Sequence, residues 1–138
     1  MSNVVRLGRV SSVDYKNGMI SVTYPDLDDS VTDNFPVFSF NDEYKMPGIG
    51  DNVLVLHLSN GESAGIVMGK YWNESNKPPK TGKKVFRKDL GTSFGEAYIQ
   101  YDGDNISFHD PGNTSTLGKI LSRLDKLESR VSYLESRI

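Results

Sequence analysis

The pattern in the chain that comes closest to a catalytic motif is Gly91-Thr92-Ser93-Phe94-Gly95, which matches the Gly-x-Ser-x-Gly sequence of a hydrolase nucleophile elbow. Such an elbow needs a strand before the serine and a helix after it. Here the residues Glu96–Tyr101 alternate as a strand does. We therefore predict a glycine-bounded loop at 91–95, and we expect the chain not to be an enzyme.

Metal ligands are sparse in the sequence. The chain has no cysteine, and its two histidines, His57 and His109, are far apart along it. The acidic runs Asp26–Asp29 and Asp102–Asn105 lack the glycine and glutamate spacing of an EF-hand loop, so turns are the better interpretation. We expect no cofactor and no metal site within one chain. Three copies of His109 around a three-fold axis are left open as a site for an ion.

Nucleic-acid binding is the function that the basic residues suggest. The only basic cluster consists of Lys77, Lys80, Lys83, Lys84, Arg87 and Lys88, close in sequence to Tyr71, Trp72 and Phe86. Against it, the formal net charge is −2 and Asp26–Asp33 is acidic, which repels a phosphate backbone. We expect no nucleic acid partner, and keep an oligomeric single-stranded nucleic-acid-binding protein as the alternative function.

Length and hydropathy limit the chain to one compact domain with an extension. It has 138 residues, of which 36% are hydrophobic. The first residues, Met1–Arg6, lack the apolar core of a signal peptide, and no apolar run is long enough to cross a bilayer. We therefore expect a soluble protein without stable membrane anchoring.

The fold class predicted for the chain is mainly β, beginning with an OB-like five-stranded barrel over residues 1–72. The predicted strands are Val4–Val13, Met19–Tyr24, Phe35–Phe40, Asn52–Leu58 and Ala64–Trp72. Turns are predicted at Asn17-Gly18 and Asn60-Gly61, with Asp26–Asp33 as a loop. Phe38 and Phe40 are expected in the core, and Gly65 and Gly69 at bulges or close backbone approaches. An SH3-like barrel is the near alternative.

A linker over residues 73–82, stiffened by Pro78-Pro79, precedes a β-stalk over residues 83–112. Strands are predicted at Val85-Phe86, Ala97–Tyr101 and Asn105–His109. One or two hairpins cannot form a core in water. We therefore predict a short intertwined trimeric stalk in which three copies pack Ile99, Tyr101, Ile106 and Phe108 against each other.

Residues 113–138 predict a parallel trimeric coiled coil that begins at a cap among Thr114, Ser115 and Thr116. Its apolar seam comprises Leu117, Ile120, Leu124, Leu127, Val131, Leu134 and Ile138. Arg123 and Arg130 fall at g positions, five residues before Glu128 and Glu135 at e positions. This repeated arginine-to-glutamate spacing is similar to a motif of short three-stranded coiled coils, and it favours a homotrimer.

The layout as a whole resembles the phage baseplate assembly protein V family, whose members are central spikes of contractile tails. The resemblance is carried by Arg9–Asp14, Gly18–Pro25, Pro47–Val53, Gly61, Gly65–Gly69 and the run Gly69-Lys70-Tyr71-Trp72 before the linker. It implies a trimeric OB collar below the tail tube and a β-structured stalk. It also implies a place in the virion tail baseplate, assembled in the host cytoplasm, with other tail hub and baseplate proteins as partners.

The end of the chain departs from that family. Relatives similar to this chain often carry a longer β-helical needle with a His-x-His metal-binding tip, whereas here His109-Asp110-Pro111 has no second histidine. A coiled coil stands in place of the needle. We therefore expect a short form of the spike, and a separate tip protein is a further candidate partner.

Overall fold

The computed structural model describes residues 4–58 and 64–138, and the chain divides into two compact units. The N-terminal unit is Met1–Lys77 and the C-terminal unit is Pro78–Ile138. Both are antiparallel β-sheets, and the second ends in a long helix. The prediction of a mainly β chain with one C-terminal helix is thus confirmed. The predicted turn at Asn60-Gly61 lies outside the described residues.

The N-terminal unit is a six-stranded sheet in the order β3-β2-β1-β5-β6, with β4 also paired to β2. Its strands are β1 Val5–Asp14, β2 Met19–Tyr24, β3 Ser30–Val31, β4 Phe35–Pro36, β5 Asn52–His57 and β6 Gly65–Lys70. The β1–β2 hairpin is confirmed, because Gly18 supplies the positive φ of +66° that its tight turn needs. The stretch predicted as the loop Asp26–Asp33 instead contains part of a 3₁₀ turn, Pro25–Leu27, and strand β3.

The core of this unit is small and mostly aliphatic, with two aromatic side chains. Its buried members are Val10, Ile20, Val22, Tyr24, Phe35, Val53, Val55 and Val67. Gly65 lies against the Phe35 ring, where an added Cβ would sit 2.8 Å from Cε2, so the close approach expected at Gly65 is confirmed. The β5–β6 pairing shifts register between Leu54 and Val55, opposite Gly69, as a bulge requires.

The predicted five-stranded barrel is not closed among the described residues. The strand predicted at Phe35–Phe40 is reduced to Phe35–Pro36, since Pro36 has no N–H to donate to a ladder. After it, the Val37 amide donates to the Gly18 carbonyl oxygen at 2.9 Å and the Phe38 amide to the Val67 carbonyl oxygen at 2.8 Å. One isolated parallel bridge, Val37–Val67, therefore links this segment to β6.

The expectation that Phe38 and Phe40 fill the core is wrong. Their side chains are 45% and 70% exposed, and the two rings meet edge to face with centroids 6.0 Å apart. Val37 packs against the core instead. Because successive residues of an extended segment point to opposite sides, burying Val37 turns Phe38 outward.

Tyr24 makes the stability of the N-terminal unit sensitive to alkali. Its hydroxyl is hydrogen-bonded to Nε2 of His57 at 2.7 Å, and burial raises the pKa of Tyr24 from 10.0 to about 12. A raised folded-state pKa means that this stabilisation is complete below pH 10 and is lost as the pH rises through 12.

Urea denaturation is therefore expected to show a loss of about 2–3 kcal/mol between pH 10 and pH 12 that is specific to Tyr24. The Tyr24→Phe variant, which cannot ionise there, should have a correspondingly flatter profile. Equal slopes for the two proteins would contradict this assignment.

The C-terminal unit is a four-stranded sheet in the order β10-β9-β8-β7, followed by a helix. The elements are β7 Phe86–Asp89, β8 Tyr98–Tyr101, β9 Ile106–Asp110, β10 Asn113–Thr116 and α1 Leu117–Ser136. Strand β10 is absent from the sequence prediction, which ends the stalk at Pro111-Gly112. Gly112, at φ +92°, instead turns the chain back, and Thr114 pairs with His109.

The start of α1 agrees with the predicted cap. Oγ1 of Thr116 accepts a hydrogen bond from the Lys119 amide at 3.2 Å, which satisfies one of the free donors of the first turn. In the part of the chain that the structure describes, no helix has the length and apolar character to cross a membrane.

Candidate oligomerisation interface

The two faces of the C-terminal sheet differ sharply in chemistry. Because strand residues alternate between faces, one face carries Phe86, Ile99, Tyr101, Ile106 and Phe108, which we call the apolar face. Phe86 pairs across to Tyr101 and Tyr101 to Ile106, while Ile99 pairs with Phe108. The last four side chains are each about 40% exposed, and Phe86 is 68% exposed. This face is thus apolar across its middle and open to solvent, with Lys88 on β7 and Ser115 on β10 at its two edges.

The opposite face, which we call the polar face, is organised around Arg87. Its guanidinium forms two hydrogen bonds of 3.0 Å to the carboxylate of Asp89 and donates to Oε1 of Gln100 at 3.1 Å. The guanidinium carbon also lies 3.8 Å from the centre of the Tyr98 ring. The hydrogen bond to Asp89 is the main reason that the pKa of Arg87 is raised. The two charged side chains are only 12% and 7% exposed.

The same network continues across the sheet through His109. The Tyr98 ring stacks on His109 with centroids 4.9 Å apart and planes 22° apart. Nδ1 of His109 is hydrogen-bonded to Oγ1 of Thr114 at 2.7 Å. Asp89 also accepts from the Gly95 amide at 3.0 Å. The polar face therefore satisfies its own hydrogen-bonding groups, which leaves the apolar face as the side that gains most from a partner.

The C-terminal unit has no interior of its own. All of its residues, 78–138, are described, and none of the buried apolar side chains of the described chain lies among them. An isolated unit of this size normally needs a buried apolar core to offset the entropy of ordering its chain. A stable form of this sheet and helix must therefore bury their apolar side chains against another surface.

The seam of α1 is open in the same way. Within α1, the seam residues Leu117, Ile120, Leu124, Leu127, Val131 and Leu134 are 37–57% exposed, and Ile138, after the end of the helix, is fully exposed. Among the described residues, Arg123, Glu128, Arg130 and Glu135 form no ion pair with one another. The apolar stripe and its flanking charges are thus both available to neighbouring helices.

The loop at 91–95 has the geometry of a connection between strands. Oε2 of Glu96 accepts hydrogen bonds from the Thr92 amide at 3.0 Å and the Ser93 amide at 3.3 Å. Strand β8 follows the loop, so Ser93 does not stand on a strand-to-helix turn. The arrangement fits a structural loop rather than a nucleophile elbow.

The candidate metal ligands are not brought together. Among the described residues there is no group of three or more histidine, aspartate or glutamate side chains that could hold an ion. His109 lies on the polar face, opposite Ile106 and Phe108. Packing the apolar face on a three-fold axis therefore turns His109 away from that axis, which argues against the axial site. Asp102 caps a turn, accepting from the amides of Asp104 and Asn105, and these bonds lower its pKa.

The polar network of Arg87, Asp89, Tyr98 and His109 was not identified from the sequence. The sequence does contain a signal for this network, because its residues alternate along the strands with those of the apolar face, such as Ile99 and Phe108. Arg87 belongs to the basic cluster that suggested nucleic acid. In the structure its charge is neutralised by Asp89, so it adds little to an anion-binding surface.

Arg87→Lys tests whether this network holds the sheet together. Lysine cannot make the paired hydrogen bonds to Asp89 or stack flat on Tyr98. We expect the free energy of unfolding of the C-terminal unit to fall by about 1.5–3 kcal/mol per chain. Unfolding in urea is monitored by the circular dichroism of α1. The exposed exchange Lys83→Arg serves as the control. An unchanged unfolding midpoint in Arg87→Lys would show that the network is not structural.

Comparison with known proteins adds no identification: neither protein-family models nor curated proteins match the chain. The resemblance to the baseplate family is thus a prediction from the residues alone.

Proposed function

We propose that the chain is a structural homotrimeric spike or hub protein in the baseplate of a contractile phage tail or tail-like particle. The observation that carries this proposal is the C-terminal unit without a buried apolar side chain, in which an apolar sheet face and an apolar helical seam are both exposed. The sheet and the helix that follows it both expose apolar side chains, so a single assembly that buries both is favoured. In this proposal they form the intertwined β-stalk and the parallel trimeric coiled coil.

The strength of association is expected to be shared between the two elements. Full burial of a large apolar side chain contributes about 1.5–3 kcal/mol, so the two-fifths still exposed on Ile99, Tyr101, Ile106 and Phe108 contributes about 0.6–1.2 kcal/mol each. Bringing chains together costs about 4–15 kcal/mol. Neither the short sheet alone nor the 20-residue helix alone gains much more free energy from burial than association costs. Sharing the association between both elements gives the trimer a wider margin than either element alone.

For the N-terminal unit we propose an OB-like barrel that acts as the docking collar. The OB fold is a five-stranded Greek-key barrel that is partly open. Four antiparallel pairings support this assignment: β1 with β2, β1 with β5, β4 with β2, and β6 with β5. The parallel bridge between Val37 and Val67 is the link that brings the β4 segment beside β6. Other hub and baseplate proteins are the proposed partners of this collar.

The solution mass of the purified protein tests the assembly directly. Sedimentation or light scattering at micromolar concentration is expected to give three times the mass of the 15.4 kDa chain. A monomer would contradict both the stalk and the coiled coil, and a dimer would contradict the three-fold arrangement.

The place in the particle needs a separate measurement. Antibody raised against Leu117–Ile138 is expected to label the distal end of the tail in electron micrographs of the assembled particle. Labelling along the sheath or on the capsid would overturn the spike assignment while leaving the trimer intact.

A second candidate function, single-stranded nucleic-acid binding, is favoured by one observation. Phe38 and Phe40 stand exposed as a pair on the N-terminal unit, and exposed aromatic rings are the platforms on which bases stack. Titration with a labelled oligonucleotide at several salt concentrations distinguishes the two functions. Micromolar binding that weakens steeply with salt and is lost in Phe38→Ala/Phe40→Ala would favour this candidate.

A further inference from the structure

We propose that the sheets of neighbouring chains join edge to edge, with β10 of one copy pairing to β7 of the next, so that the stalk is a closed ring of strands. This inference rests on the proposed homotrimer and specifies how its sheets meet. It goes beyond burial of the apolar face, because face-to-face packing alone leaves both edges of every sheet open.

Strand direction is the first argument. The sheet is antiparallel with the order β10-β9-β8-β7, so its two outer strands run in opposite directions. A three-fold axis parallel to the strands keeps every copy in the same orientation. The next copy's β7 therefore arrives antiparallel to β10, and the alternation continues around the ring without a break. A sheet with an odd number of strands would meet its neighbour in a parallel pair.

Strand length and edge chemistry agree with this pairing. β7 and β10 each have four residues, Phe86–Asp89 and Asn113–Thr116, and three of them lie level with each other across the sheet. Open sheet edges are templates for further pairing and are normally shielded. Here β10 is rich in hydroxyl side chains and carries no charge or proline, so nothing in its sequence shields it. On β7, Arg87 and Asp89 neutralise each other on the polar face, and Lys88 is the one remaining charge. Pairing to a neighbour's β7 satisfies this edge within the assembly.

The dimensions of a ring of three sheets match a filled core. Strands lie about 4.8 Å apart, so four strands form a side about 19 Å wide, and a triangle of that side has its faces about 5.5 Å from the axis. Packed sheets stand about 10 Å apart, which places each about 5 Å from the plane between them. Side chains at the middle of the apolar face, from β8 and β9, therefore meet at the axis without an empty channel, while Lys88 on the edge strand β7 lies near a corner of the triangle, away from the axis. The polar face then points outward to solvent.

Engineered cysteines test the pairing, because the natural chain has no cysteine. Lys88 on β7 and Ser115 on β10 lie in one row across the apolar face, through Ile99 and Phe108. Within one chain these edges are three strand spacings apart, about 14 Å, beyond the reach of a disulfide. Any disulfide in Lys88→Cys/Ser115→Cys must therefore join two chains. A second double variant, Lys88→Cys/Asn113→Cys, tests a pairing in which β10 is shifted by two residues along the neighbouring β7. Asn113 and Ser115 lie on the same face of the sheet.

One of the two double variants is expected to give a covalent trimer on a non-reducing gel after mild oxidation. Each single-cysteine variant should give no covalent product, because β7 does not meet β7 and β10 does not meet β10. Covalent dimers from a single variant would overturn the proposal in favour of a two-fold edge contact. Monomers from both double variants, with a trimer mass in light scattering, would overturn the edge pairing and leave the proposed trimer standing.

Amide hydrogen exchange on the unaltered protein provides a measurement independent of the variants. In a closed ring, β7 and β10 should exchange as slowly as the inner strands β8 and β9. Fast exchange confined to β7 and β10 would overturn the edge pairing. A monomer mass for the unaltered protein would instead overturn the proposed function.

Discussion

Phe108→Asp is expected to convert the trimer into monomers at micromolar concentration. Phe108 lies at the centre of the apolar face, paired with Ile99 on the next strand, and is 40% exposed in the single chain. In the assembly the substitution places three carboxylates close to one axis in a water-poor core. Burying each charge costs several kcal/mol, and like charges repel each other strongly where the dielectric constant is low.

The measurement is sedimentation equilibrium at pH 7, with α1 circular dichroism recorded on the same samples. Phe108→Leu is the matched control, because it keeps an apolar side chain at this position and is expected to stay trimeric. Lowering the pH so that the carboxylates are protonated should restore part of the association. A Phe108→Asp protein that remains fully trimeric would show that the apolar face is not at the interface.

Leu127→Asn is expected to weaken the oligomer without abolishing it. Leu127 is a d position near the middle of the seam and is 52% exposed in the single chain. Since only this exposed half is buried on association, the exchange removes about 0.8–1.6 kcal/mol of apolar burial from each chain, or about 2–5 kcal/mol from a trimer. The sheet faces still hold the copies together. The dissociation midpoint should therefore move to a higher protein concentration, with trimers still present at the highest concentrations.

Light scattering over a dilution series measures this shift. Lys126→Asn is the control, since the neighbouring c position lies outside the seam and the same residue is introduced. A fully monomeric Leu127→Asn protein would contradict the proposal that the sheet and the helix both contribute to the free energy of association. An unchanged midpoint would show that α1 contributes nothing to association.

The features that the sequence predicts well are those fixed by local chemistry. Asn17-Gly18 sets the first hairpin through a positive φ, and Thr116 caps α1 through its hydroxyl. The alternation of Ile99, Tyr101, Ile106 and Phe108 on two strands gives the apolar face correctly. In each case a short stretch of residues contains the whole physical reason for the structure.

The features that it misses depend on partners distant in sequence. The sequence predicts Phe38 and Phe40 as core residues. In the structure Val37 packs against the core instead, because a parallel bridge places it beside Val67 of β6. Strand β10 has no apolar alternation and forms because the turn at Gly112 returns the chain beside β9. The network around Arg87 needs β7, β8 and β9 in register before its members can meet. Such pairings cannot be read from composition or periodicity.

The even number of strands in the C-terminal sheet has a mechanical consequence. The chain enters β7 at Phe86 and leaves β10 at Thr116, and the pairings of Phe86 with Tyr101, Tyr101 with Ile106 and Ser107 with Thr116 put both points at one end of the sheet. Tension between the entering and leaving segments would peel β7 and β10 away one hydrogen bond at a time. Pairing β7 and β10 to neighbouring chains adds a second row of hydrogen bonds to each of these strands. The proposed ring is therefore expected to resist such peeling better than a single sheet.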